Sequence, residues 1–240
     1  MLMLTAVPCA ISALPRMCTR YVSPEAAAIE RAWHIGRHTP WRGGEIFPHR
    51  PGAFIRAARD STEPERELVI GQWALVPWFA KTPKLTYSTC NARSEELADK
   101  ATFKDPWKHG KRCIIPAWSF DEPNWESGKN VWWRFRRVDG APWGLAGLWN
   151  TWTDKTTGEL VESYTMLTIN ADAHPLMRRM HKPDPKLGPD QQDKRSTTGP
   201  ARRSRSSSRT SPCGCTARRP KHAAGCDCRK RSCSMPVRRT

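Results

Sequence analysis

Five side chains in this sequence are of types that do chemistry and stand where chemistry is usually placed. Cys18 follows Met17; Asn91 and Arg93 lie in "CNARSEE"; Glu122 follows an apolar run ending at Phe120; His181 closes "HPLMRRMH". Each falls at the end of a predicted element, where a loop aims the side chain and the scaffold holds it. A thiol, an imidazole and an amide or carboxylate could act as nucleophile, base and orienter of a cysteine peptidase or amidase: Cys18, His181, and Asn91 or Glu122. Singly, each residue also has a structural explanation. Cys18 is small enough for a core, and Asn91 suits a turn. Arg93 and Glu122 suit surface charges or an ion pair, and His181 suits the C-terminal end of a helix.

The elements that must position these residues are readable from periodicity and punctuation. Ser23-Pro24-Glu25 predicts an N-cap, a first-turn proline and an early acid ahead of a helix over "AAAIERAW". Residues 41–51 read as loop. "ELVIGQWALVP" (67–77) reads as a buried strand, and Ser94 as the cap of a second helix, "EELADKATF". Strands follow at "RCIIPAWSF" (112–120), "VWWRFRR" (131–137), "WGLAGLWNTW" (143–152) and "SYTMLTIN" (163–170). Asp-Gly, Ser-Gly and Thr-Gly turns separate strands, as in antiparallel meanders. Residues 174–180 read as one short helix. The fold class is therefore α+β, dominated by antiparallel sheet.

The chain has 240 residues, which suggests one domain with appendages, and only 38% of them are hydrophobic. Its formal charge of +17 points to a polyanion such as nucleic acid. That charge is uneven: fourteen basic residues and one acid lie between Lys194 and Thr240, so the remainder is only mildly basic. No apolar run approaches the roughly 20 residues that span a bilayer, so no membrane partner is expected. The opening "MLMLTAVPCAISALPR" lacks a basic leader and is interrupted by Pro8, against a signal peptide. Five of nine cysteines crowd the tail, which leaves no disulfide framework and suggests a reducing, cytosolic setting. The segment after Lys194 has no periodicity and almost no large apolar residue, too little to offset its chain entropy. It reads as a basic disordered tail, as a metal site on Cys213, Cys215, Cys226, Cys228 and Cys233, or as a frameshifted translation. Its Arg, Ser, Pro and Cys content favours the last; C-x-C spacing departs from the usual zinc pattern, so no metal is expected.

Five blocks carry a resemblance. "MCTRY", "GQWALVPWFAK", "NARSEEL", "KRCIIPAWSFDEP" and "HPLMRRMH", in order from Met17 to His181, resemble the signature of the SOS-response-associated peptidase (SRAP) family. That family processes abasic sites in single-stranded DNA. The resemblance implies an SRAP-like domain over 17–195, with a mainly antiparallel, barrel-like core and a few flanking helices. Residues 1–16 are then expected to be a misassigned extension ahead of Met17, and 196–240 a basic tail that replaces the family's last strand.

The resemblance also implies roles. Cys18 would become the N-terminal residue, by removal of Met17 or by self-cleavage, and would attack the sugar aldehyde of an abasic site to give a thiazolidine. Asn91 would orient Cys18, Glu122 would be the catalytic acid and His181 the catalytic histidine. Arg20 and Arg93 would contact phosphates, and Trp78 exposed bases; part of Arg134, Arg136 and Arg137 would line a groove. An α-amine has a pKa of about 7.7–8.0 against about 10.4 for lysine, so a useful fraction is nucleophilic at neutral pH. The expected partner is single-stranded DNA with abasic sites. No cofactor is needed, and a monomer in the bacterial cytosol or nucleoid is expected. The competing readings are a cysteine peptidase acting in trans and a non-covalent binder driven by the tail. Asp121 and Pro123 flank Glu122 where the family often has Tyr and Trp; Trp118-Ser119 stands for Asp-Gly, and Ala74 for Gly.

Overall fold

A computed structural model describes residues 19–35, 39–59, 65–181 and 195–197. Eleven strands and two short helices make up the described fold: β1 (Arg20–Ser23), α1 (Ala26–Trp33), β2 (Gly44–Ile46), β3 (Pro51–Ala57), β4 (Arg66–Trp73), β5 (Asn91–Arg93), α2 (Ala101–Lys108), β6 (Arg112–Ala117), β7 (Ser119–Asn124), β8 (Val131–Arg136), β9 (Trp143–Thr153), β10 (Leu160–Asn170) and β11 (Arg195–Thr197). Five strands close a barrel in the order β10-β4-β3-β6-β9 and back to β10; β10 and β4 run parallel, the other neighbours antiparallel. β5 continues the β4 edge of β10, and β11 pairs with the end of β10. A second antiparallel sheet has the order β2-β1-β7-β8. The expected α+β class with a barrel-like antiparallel core is the observed one.

Alternation along the strands sorts side chains into the barrel and its outer layers. Phe54, Trp73, Cys113, Ile115, Leu145, Tyr164 and Met166 fill the interior, and Tyr21, Ile46, Phe120 and Phe135 of the second sheet join them. The opposite face of β3 and β4 packs Ala53, Ile55 and Leu68 against Ile29 of α1. Phe103 and Trp107 of α2 cover Leu75, Ala92, Leu97 and Leu148. The two sheets are joined where the Tyr21 and Tyr164 hydroxyls meet at 2.5 Å. Gly52 lies under that contact: a Cβ there would stand 2.1 Å from the Tyr164 hydroxyl, so only glycine fits.

Six local expectations are corrected. Ser23 ends β1 and receives the Trp41 indole N–H at 2.9 Å instead of capping a helix, and α1 begins after Glu25. The 41–51 segment contains β2, which a run as short as "GEI" does not announce. Ser94 opens a three-residue 3₁₀ turn, and the second helix starts only at Ala101. The apolar run at 112–120 is two strands: it leaves the barrel at Ala117, Trp118 donates its N–H to the Val22 carbonyl at 2.7 Å, and β7 enters the second sheet. Residues 177–179 form a 3₁₀ turn in place of the expected helix, and β11 stands just beyond Lys194, where the sequence reading expects none.

Candidate active site

All six residues of β7 are buried, although four of them are polar. Burial of polar groups is costly unless they find partners. Asp121, Glu122 and Asn124 find them, and the Ser119 hydroxyl is buried without one among the described residues. Asp121 and Glu122 are successive residues, so their side chains leave opposite faces of the sheet. Asp121 lies between directly paired neighbours, Arg20 on β1 and Arg134 on β8. Arg20 Nε donates to its carboxylate at 2.5 Å and Arg134 Nε at 2.8 Å; Arg134 also reaches Glu45 of β2 at 3.2 Å. The result is a Glu45–Arg20–Asp121–Arg134 ladder of alternating charge across four strands. Asp121 and Glu45, hydrogen-bonded to Arg134, raise the pKa of its guanidinium.

Glu122 faces the other way and is fully buried. His181 Nε2 lies 2.7 Å from its Oε2, and the imidazole is itself 9% exposed. Hydrogen-bond geometry requires one proton between the two atoms, on whichever partner carries it. His181 adopts a left-handed backbone with φ of 61°. That conformation costs about 1–3 kcal/mol for a side chain of this kind and persists only when surrounding contacts over-determine it. Those contacts are present. The His181 N–H donates to the Pro123 carbonyl at 2.7 Å, Met180 is buried and bridges Asn124, and the Asn124 amide donates to the Arg179 carbonyl at 3.1 Å. Asn124 is two residues beyond Glu122, on the same face of β7, and sequence reasoning overlooked it; the period-2 spacing was the signal that could have found it.

The other candidates fall around this pair in different ways. Cys18 lies outside the described residues. Because β1 is antiparallel to β7 and Arg20 pairs with Asp121, the chain enters β1 from the Glu122 end of β7. Asn91 and Arg93 lie on β5, opposite Met166 and Thr168 of β10. They line a cavity of about 300 Å³ with Tyr87, Thr89, Lys100 and Phe103, in which Arg93 Nη1 is 3.3 Å from Glu96. Neither Glu122 nor His181 is among the residues lining it. Trp78 is 64% exposed and meets Phe79 edge to face. Arg137 is paired with Asp139, and Arg134 belongs to the ladder.

Cys90 and Cys113 are free and buried, and burial pushes both thiols above the usual range, which makes them poor nucleophiles. Among the described residues no cluster of His, Cys, Asp and Glu could hold a metal ion, and no helix is long and apolar enough to cross a membrane. The tail cysteines lie outside the described residues.

The sequence model described as SOS response associated peptidase (SRAP) matches residues 17–195. The chain belongs to the SRAP family. Among curated proteins, the abasic site processing protein YoaM of Bacillus subtilis is 33% identical over 111 residues, 46% of this chain and 47% of that protein. The abasic site processing protein HMCES of Xenopus tropicalis is 26% identical over 170 residues, 57% of this chain and 51% of its own length. This SRAP chain thus spans about half the length of the curated relatives it matches. A Bordetella bronchiseptica protein of known crystal structure is 37% identical with a TM-score of 0.65, covering 76% of this chain and 83% of that one. A Bacteroides thetaiotaomicron protein, 23% identical with a TM-score of 0.51 over 64% of this chain and 68% of that one, shares the fold.

Proposed function

We propose that this SRAP chain captures abasic sites in single-stranded DNA as a covalent adduct through Cys18. The buried Glu122–His181 pair, whose Glu122 directly follows the Asp121 that pairs with Arg20 at the start of β1, is the observation that carries this reading. The similarity to abasic site processing proteins supports it.

The reaction needs nucleophiles and proton carriers in one place. The Cys18 α-amine adds to the aldehyde carbon of the ring-opened deoxyribose and forms a C–N bond. The carbonyl oxygen collects protons and leaves as water, which gives an imine. The Cys18 thiol then adds its sulfur to the imine carbon, and its proton passes to the nitrogen. Aldehyde and cysteine become thiazolidine and water. Glu122 and His181 share a proton that can be delivered to the departing oxygen and recovered from the amine. Ring closure is favoured because both nucleophiles sit on one residue. This chemistry requires Cys18 to be the first residue of the mature chain, through a start at Met17 with methionine removal or through self-cleavage after Met17. In this reading Asn91 orients Cys18 and Arg93 holds a phosphate. Arg20 holds another in competition with Asp121, and Trp78 stacks on an unpaired base.

The test is incubation of the Met17-start form with single-stranded DNA bearing one abasic site. The expected product is an adduct stable to heat and SDS that Cys18→Ala abolishes. Cleavage of peptides in trans with no adduct would support a peptidase instead. Binding without an adduct that survives Cys18→Ala and disappears on deleting residues 196–240 would support the tail-driven binder.

A further inference from the structure

We infer that Asn124 is a positioning residue for His181: it fixes the backbone that carries the imidazole to Glu122. Its catalytic consequence rests on the function proposed above; its structural content does not.

The segment 179–181 is attached to β7 at several points, and these differ in strength. Arg179 makes a two-pronged pair with Glu126, 2.8 Å at both contacts, and lies over the Trp133 ring at 5.0 Å. Both charged groups are over 40% exposed, so solvent screens the pair and it contributes little alone. Asn124 is only 4% exposed and makes three bonds at once. Its Oδ1 accepts the Glu126 N–H at 3.1 Å; its Nδ2 donates to Glu126 Oε2 at 3.2 Å and to the Arg179 carbonyl at 3.1 Å. It therefore holds the 125–126 turn and the 179–181 segment together from inside. A buried amide that loses such partners leaves polar groups unmatched, so the arrangement is worth more than the exposed pair it organises.

The geometry explains why an amide stands here. Glu122 and Asn124 are two residues apart and point the same way, so β7 grips one segment twice, at the imidazole by Glu122 and at the backbone by Asn124. The Pro123 carbonyl between them takes the His181 N–H. The left-handed conformation of His181 is thereby over-determined on both sides, and without Asn124 one of those restraints is gone.

The deciding measurement is the ring proton between His181 Nε2 and Glu122, observed by NMR in the full chain with ¹⁵N-labelled histidine and assigned by its loss in His181→Gln. In Asn124→Ala its exchange with water is expected to speed up about tenfold or more, while the backbone spectrum of the barrel is unchanged. Asn124→Asp keeps the acceptor for Glu126 N–H and removes both donors; it serves if the alanine variant fails to fold and is expected to behave the same way. Glu126→Gln, which weakens the screened pair and alters one of the three Asn124 bonds but leaves its hold on the Arg179 carbonyl, is expected to change exchange less than twofold. An unchanged ring proton in a folded Asn124 variant overturns the inference. In the adduct assay, Asn124→Ala is expected to lower the single-turnover rate about tenfold or more, as misplacement by an ångström can. The half-saturating DNA concentration should stay within twofold, and a rate equal to the parent's also overturns the inference. Absence of any adduct from the parent sinks the abasic-site reading and leaves the ring proton to decide this one.

Discussion

Asp121 and Glu122 are adjacent carboxylates on one strand, both buried, and they have opposite surroundings. Asp121 sits between two arginines that keep their charge at any ordinary pH, so its own charge is matched permanently. Glu122 faces a single imidazole, the side chain that most readily exchanges protons near neutrality. A carboxylate locked between fixed charges ties strands together; one that shares a proton with a titratable partner can move it. The pleat of β7 separates the two tasks by one residue and one sheet face.

The first way to break this contrast is to remove a proton carrier. Glu122→Gln or His181→Gln should lower the single-turnover adduct rate by about a hundredfold or more, in the range of lost general acid–base catalysis, with Cys18 intact. Asp121→Asn should do the reverse. It should cost about 3 kcal/mol of stability in denaturant titration, the low end for a broken buried ion pair because both arginines are partly exposed, and leave the adduct rate within a few-fold. If Asp121→Asn instead abolished adduct formation in a folded protein, the division of labour would be wrong. Gly52→Ala probes the joint between the two sheets. The added methyl collides with the Tyr164 and Tyr21 hydroxyls, so a loss of about 2 kcal/mol is expected from overpacking. Trp78→Ala should weaken single-stranded DNA binding by about 1 kcal/mol, as for loss of one stacked base, with an unchanged Tm because the ring is mostly in solvent.

Much of this fold was legible because its long strands announce themselves. "WGLAGLWNTW" marks β9 to within one residue of its end, and "SYTMLTIN" marks β10 from its fourth residue on. The break at Trp118 was not legible. In "RCIIPAWSF" only Arg112 and Ser119 are polar, because both halves are largely buried, and a run buried on both faces carries no mark of where it changes sheets. Ser23 misled for a related reason: its sequence neighbours are those of a cap, but its hydroxyl is taken by Trp41, 18 residues away. At the site, motif order singled out Glu122 and His181, 59 residues apart, and the structure puts their side chains in contact. The grip of Asn124 on that segment depends on a backbone carbonyl, which no residue type reveals.

The central claim is that one cysteine, with its amine exposed, is the atom pair that the Glu122–His181 dyad serves. Peptide mapping by mass spectrometry of the adduct formed on abasic single-stranded DNA tests it most directly. The account predicts the sugar remnant on a peptide whose first residue is Cys18, with the mass of a thiazolidine. A remnant on a lysine, on Cys90 or Cys113, or on a peptide that still carries Met17 would contradict it.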